Sequence, residues 1–236
     1  MKVGAKMVGA YLSTRASLDE DQPSNLVAWE SSILVTIQRI IWMYQRCKLA
    51  PLTQIILCVV DTTKFPRGVF IEDSALLRTY PPGLDELLDH HRAELSKGHN
   101  FNMYFGQYLS QGALWFSKSQ CQVITADKLI GDHLKRLRPE FWSGTDEMAA
   151  ASSKGHDSWM HHVVALRDRI YRPSYPGYYK AVLNIEKLEA VEAITKLFDA
   201  SWRLPIATLL LALHPMTTDP ARRNLEMSVV WSCNRR

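Results

Sequence analysis

Two neighbouring segments of different periodicity constrain this chain most. In "AWESSILVTIQRIIWMYQRCK", Ile33, Ile37, Ile40, Ile41 and Tyr44 recur at helical spacing, and such an apolar stripe needs a surface to bury it. Ser31 or Ser32 can cap the helix, because a serine oxygen accepts from backbone N–H groups that the first turn leaves unpaired. Beyond Pro51, "TQIILCVVDT" is a run of β-branched and apolar residues bounded by Asp61, Thr62 and Thr63. Its composition and length predict a strand buried on both faces. A chain that sets these two segments side by side is neither all-α nor all-β.

The rest of the chain extends the pattern. Residues 16–27 read as an acidic loop. "KFPRG" turns the chain, "VFIED" suits a short strand, and "SALLRTY" is a helical turn stopped by Pro81 and Pro82. "GLDELLDHHRAELSKG" predicts a surface helix ending near Gly98. In "QCQVITADKLI", Cys121, Val123 and Thr125 alternate as in a strand before a short helix. Past Gly131 the character is helical: "SWMHHVVALRDRIY", then a helix opened by Asn184, then "LPIATLLLALHP" with Pro205 expected in its first turn. The expectation is an α+β fold. A small mixed sheet with flanking helices occupies 1–131, and a mostly helical region, 132–236, packs on it as a second part or as one continuous domain.

Composition narrows the function classes. An apolar fraction of 47% and a charged fraction of 22% are those of an ordinary globular chain. The net charge of +4 is small and scattered, so no nucleic-acid footprint is expected. Leu204–Pro215 is shorter than the roughly 18 apolar residues a membrane span requires. The basic start "MKVGAKMVGAYLSTRAS" has its apolar core broken by Lys6 and Arg15, so it reads as mature protein rather than a signal peptide. Whether Met1 is the natural start stays open. Cys47, Cys58, Cys121 and Cys233 lack metal-ligand spacing, and free thiols fit an intracellular compartment.

Motifs for chemistry are sparse. His156, Asp157, His161 and His162 cluster, but adjacent helical histidines point about 100° apart, and surface histidines explain them better than a metal site. His90 and His91 are read the same way. No G-x-S-x-G elbow, Walker A or G-x-G-x-x-G is present. Tyrosines and arginines interleave in "LRDRIYRPSYPGYYK", where Tyr175, Tyr178 and Tyr179 could hold a partner; the plainer reading is a proline-bearing loop covering the helical half.

One further constellation comes from resemblance. "NLVAWESSILVTIQRIIWMYQ", "IILCVVDTTKFPRGVFIEDSALLRTY", "FGQYLSQGALWFSKSQCQVITADKLI", "LRPEFW" and "SWRLPIATLLLALHP" follow in this order. Together they resemble an uncharacterised domain of filamentous fungi, over about Asn25 to His214. That domain is in turn similar to the ADP-ribosyltransferase fold. The resemblance implies a hydroxyl-bearing strand and helix at "WESSILVTIQ", with Ser31 and Ser32 shaping a cleft. It also implies a late strand at "GQYLSQGAL", where Gln107 replaces the family's acid. Arg15 is the nucleotide-contacting candidate if "KMVGAYLSTRAS" is the first strand.

Breaking a nicotinamide–ribose bond develops positive charge that a carboxylate stabilises and an amide does not. The expected function is therefore a catalytically degenerate binding or interaction module with an unknown protein partner and no cofactor. The alternative is an NAD-dependent ADP-ribosyltransferase or NAD glycohydrolase. Gln107 also has a plain reading, as an amide on a strand with no ligand.

Overall fold

In the computed structural model, residues 26–47, 51–84, 107–142, 158–178 and 183–214 are described. Among them β1 (Leu26–Glu30) pairs antiparallel with β4 (Gln107–Gln111), whose other edge takes β3 (Ile71–Glu72). A second, two-stranded sheet joins β2 (Ile56–Val60) to β5 (Cys121–Thr125), also antiparallel. The α+β class holds. The small mixed sheet expected from the sequence is resolved into two sheets with every described pairing antiparallel.

The helices are α1 (Ile33–Trp42), continued by a wider turn over Met43–Cys47, α2 (Asp73–Thr79), α3 (Ala126–Leu129) and α4 (Asp132–Leu137). After them come α5 (Ser158–Tyr171), α6 (Ile185–Thr195) and α7 (Ala200–Leu211). Ser32 caps α1 and Asn184 caps α6, each side-chain oxygen accepting a first-turn backbone N–H. A single core runs through both halves. Ile37 and Ile41 of α1 and Ile124 of β5 join Leu134, Leu137, Phe141, Ile170, Ile194 and Leu210. Gln38, fully buried on α1, reaches the Phe141 carbonyl at 3.4 Å and so ties α1 to the turn after α4.

Three local expectations change. The end of the expected acidic loop, Leu26 and Val27, and the first three residues of the expected helical segment, Ala28–Glu30, form β1, because Leu26–Glu30 finds a five-residue register on β4. β2 is not buried on both faces: Ile56 is 64% exposed and its sheet neighbour Val123 60%. A two-stranded sheet has one face on the core, and nothing among the described residues covers these two side chains. Pro205 lies inside α7 rather than in its first turn. Its ring forgoes one helical hydrogen bond, and burial of Trp202, Ile206, Ala207 and Leu210 offsets the loss. The helix expected to end near Gly98 and the loop through "AAASSKG" lie outside the described residues.

Candidate functional site

A cleft of about 920 Å³ opens between the two sheets. One wall is the end of β1 and the start of α1, and the other is β2 with the turn that follows it. That turn is built locally. The Asp61 carboxylate accepts from the Thr63 backbone N–H and hydroxyl, at 3.1 and 2.6 Å. The Thr63 hydroxyl is the main reason the Asp61 pKa is lowered. Lys64 donates to the Ser119 carbonyl and Gln120 to the Lys64 carbonyl, pinning the turn to the start of β5. Gly68, at φ 89°, supplies the left-handed residue that brings the chain back toward β3.

The polar end of the cleft is set by Glu30, the last residue of β1. Its carboxylate pairs with the Arg39 guanidinium at 2.5 Å, and the Thr36 hydroxyl lies 3.5 Å from its other oxygen. Thr36 and Arg39 stand three residues apart on α1 and so share a face, and both line the cleft. The aromatic end gathers Trp29, Phe65 and Phe70 with Phe116 beside them, all in edge-to-face contact at centroid distances of 5.2–6.1 Å. The Trp29 indole donates to the Ser110 hydroxyl at 2.8 Å, which fixes the ring against β4. Such aromatic pairs add about 0.5–1.5 kcal/mol each beyond the area they bury.

The candidates named from the sequence fall in different places. Ser31 lines the cleft beside Glu30. Ser32 is occupied as the α1 cap, its oxygen 3.5 Å from the Val35 nitrogen. Gln107 begins β4 directly opposite Glu30 and is 6% exposed. Its neighbour Tyr108, opposite Trp29, reaches the cleft lining, whereas Gln107 is not among the lining residues. Arg15 and Tyr179 lie outside the described residues. Tyr175 and Tyr178 sit in consecutive turns after α5 and are half-buried. No protein-family model, curated protein or solved structure matches the chain.

Glu30 and Arg39 are the site residues that sequence reading missed. One signal was present: Thr36 and Arg39 recur at helical spacing on a segment otherwise chosen for its apolar stripe. Among the described residues, no group of three or more His, Cys, Asp or Glu side chains converges as metal ligands. No described helix is long and apolar enough to cross a membrane.

Proposed function

We propose that this chain is a binding module of the kind its fungal resemblance implies, intracellular, on an ADP-ribosyltransferase-like scaffold that has lost transfer chemistry. The observation carrying this reading is the pairing of Gln107 with Glu30. At the strand position where the resembled family holds an acid stands a neutral amide, and Glu30, the carboxylate opposite it on β1, is already paired with Arg39. Neither supplies the free negative charge that a developing oxocarbenium ion needs. What the cleft does offer is an aromatic wall and a small polar end, suited to one flat apolar group with a hydrogen-bonding tail or to an aromatic side chain of a protein partner.

The alternative is an enzyme that cleaves NAD, and one observation favours it: Glu30 and Ser31 stand together at the cleft. In that case Glu30 is the charge-stabilising carboxylate, and Arg39 must release it when substrate binds.

The deciding experiment measures NAD hydrolysis by the wild-type chain, Gln107→Glu and Glu30→Gln, with long incubations. The binding-module reading expects no wild-type turnover. It also expects Gln107→Glu to stay silent, because Gln107 is buried and is not among the residues lining the cleft. Wild-type turnover abolished by Glu30→Gln overturns the reading in favour of the enzyme. Turnover that emerges only in Gln107→Glu would instead tie the chain to transferase chemistry disabled at that one position, since one such electrostatic contribution is worth about 10²–10³ in rate.

A further inference from the structure

The two cysteines of the second sheet meet. In the β2–β5 register Cys58 stands opposite Val123 and Cys121 opposite Val60, so the cysteines are diagonal neighbours on one face of the sheet. Their sulfurs are 3.1 Å apart and joined by a thiol hydrogen bond, and both thiols are free. A disulfide holds its sulfurs at about 2.05 Å, so closing the bond moves them together by only about 1 Å, with no change of strand register. Cys58 also lines the cleft, which gives small oxidants a route to it, while Cys121 is buried behind it.

We propose that Cys58 and Cys121 form an oxidisable dithiol, converted to an intramolecular disulfide by oxidants of the hydroperoxide class. In the first step the Cys58 sulfur attacks one oxygen of the peroxide. The O–O bond breaks, water leaves, and Cys58 becomes a sulfenic acid. In the second step the Cys121 sulfur attacks the Cys58 sulfur. The S–S bond forms, the S–O bond breaks and a second water leaves. Over both steps two thiols and one hydrogen peroxide give one disulfide and two waters. Two electrons pass from the sulfurs to the peroxide oxygens.

Burial, followed by the hydrogen bond shared with Cys121, pushes the Cys58 thiol up to about 12. The Cys58 thiol therefore rests protonated near neutrality, and it yields to sustained oxidant rather than to trace exposure. The closed bond would join strands 63 residues apart in sequence along the wall of the cleft. This inference concerns the second sheet alone and is independent of what the cleft holds.

The test treats the full chain with hydrogen peroxide at about pH 9, where more of the thiol is ionised. Remaining thiols are then blocked with iodoacetamide, and proteolytic fragments are mapped by mass spectrometry. The expected product is a fragment pair linked Cys58–Cys121, about 2 Da lighter than the sum of the reduced fragments. It should be reversed by dithiothreitol and at least tenfold more abundant than any link to Cys47 or Cys233. In Cys121→Ser, dimedone should trap a sulfenic acid on Cys58 that the wild-type chain does not accumulate. The inference is overturned if both cysteines alkylate as in untreated protein. It is equally overturned if the dominant product is a sulfinic acid or a link to another cysteine. Mapping the wild-type chain decides the matter even where the variant does not fold.

Discussion

The two halves of this molecule use apolar side chains differently. Around α4, α5, α6 and α7, Leu134, Leu137, Phe141, Ile170, Ile194 and Leu210 are all fully buried in one cluster. Around the two sheets the same kinds of residue are spread over a cleft. Ile56 and Val123 are mostly exposed, Trp115 is 91% exposed, and Trp29, Phe65 and Phe70 stand edge to face along an open wall. A helix covers its stripe with its neighbours, whereas the two short sheets leave apolar side chains exposed among the described residues. Among the described residues, the helical half is the more closely packed, and the sheet half supplies most of the cleft's lining.

The joint between them combines polar contacts with a shared apolar core. The Gln122 amide on β5 donates to the Asp199 carboxylate at 2.9 Å and accepts from the Asp199 backbone N–H at 3.3 Å, just where α7 begins. With Gln38 on the Phe141 carbonyl, this orients the sheet against the helices, while the shared apolar core supplies the adhesion.

Substitutions sharpen the contrast, and the largest effect belongs to the helical core. Phe141→Ala should cost about 3–5 kcal/mol in urea unfolding, because a closed core cannot refill a benzyl-sized void. Ile56→Ala, on the exposed strand, should stay within about 0.5 kcal/mol. Comparable losses at both sites would break the comparison.

Acid should act next, and on the helical half. His214 is buried, and desolvation, helped by Arg138 and Lys187, pushes its pKa from the usual 6.5 down to about 3. The unfolded chain accepts a proton that the folded one refuses. Its contribution is therefore intact above pH 6.5 and declines as pH falls toward 3, by about 1.4 kcal/mol per pH unit. Unfolding midpoints measured from pH 7 to 4 should show this slope, and His214→Gln should flatten it. An unchanged slope would mean that the fold admits the proton elsewhere.

The smallest expected difference compares two helix caps. Asn184 accepts from the Lys187 nitrogen at 3.0 Å, and Ser32 from the Val35 nitrogen at 3.5 Å. Asn184→Ala should cost about 1 kcal/mol and Ser32→Ala less, both read from unfolding midpoints. The reverse order would show that the start of α1, beside the cleft, is held more firmly than the start of α6.

Much of this architecture was legible in the sequence. The stripe of Ile33, Ile37, Ile40 and Ile41 marks α1, and alternation through Cys121, Val123 and Thr125 marks β5. Ser32 and Asn184 cap where serine and asparagine should. Three features were less legible. β1 hid across the end of an acidic stretch and the start of a helical one, because five residues do not display a period until β4 pairs with them. Apolar content alone did not tell a doubly buried strand from one that borders a cleft, so β2 was assigned too much burial. Proline preference placed Pro205 in a first turn, although burial of its neighbours carries α7 past it.

The candidate site divides in the same way. The resemblance pointed to both Ser31 and Gln107, and of the two only Ser31 is among the residues lining the cleft. The Glu30–Arg39 pair, the wall made by Trp29 with Phe70, and the contact of Cys58 with Cys121 were not legible, since none depends on neighbours in the chain. By itself the sequence determined helix positions, caps and the α+β class, because backbone hydrogen bonding and side-chain period act within a few residues. Only the tertiary structure decided which carboxylate meets which guanidinium, which thiols touch and where a cleft stays open. Those depend on how distant segments pack, and packing is settled by the whole chain at once.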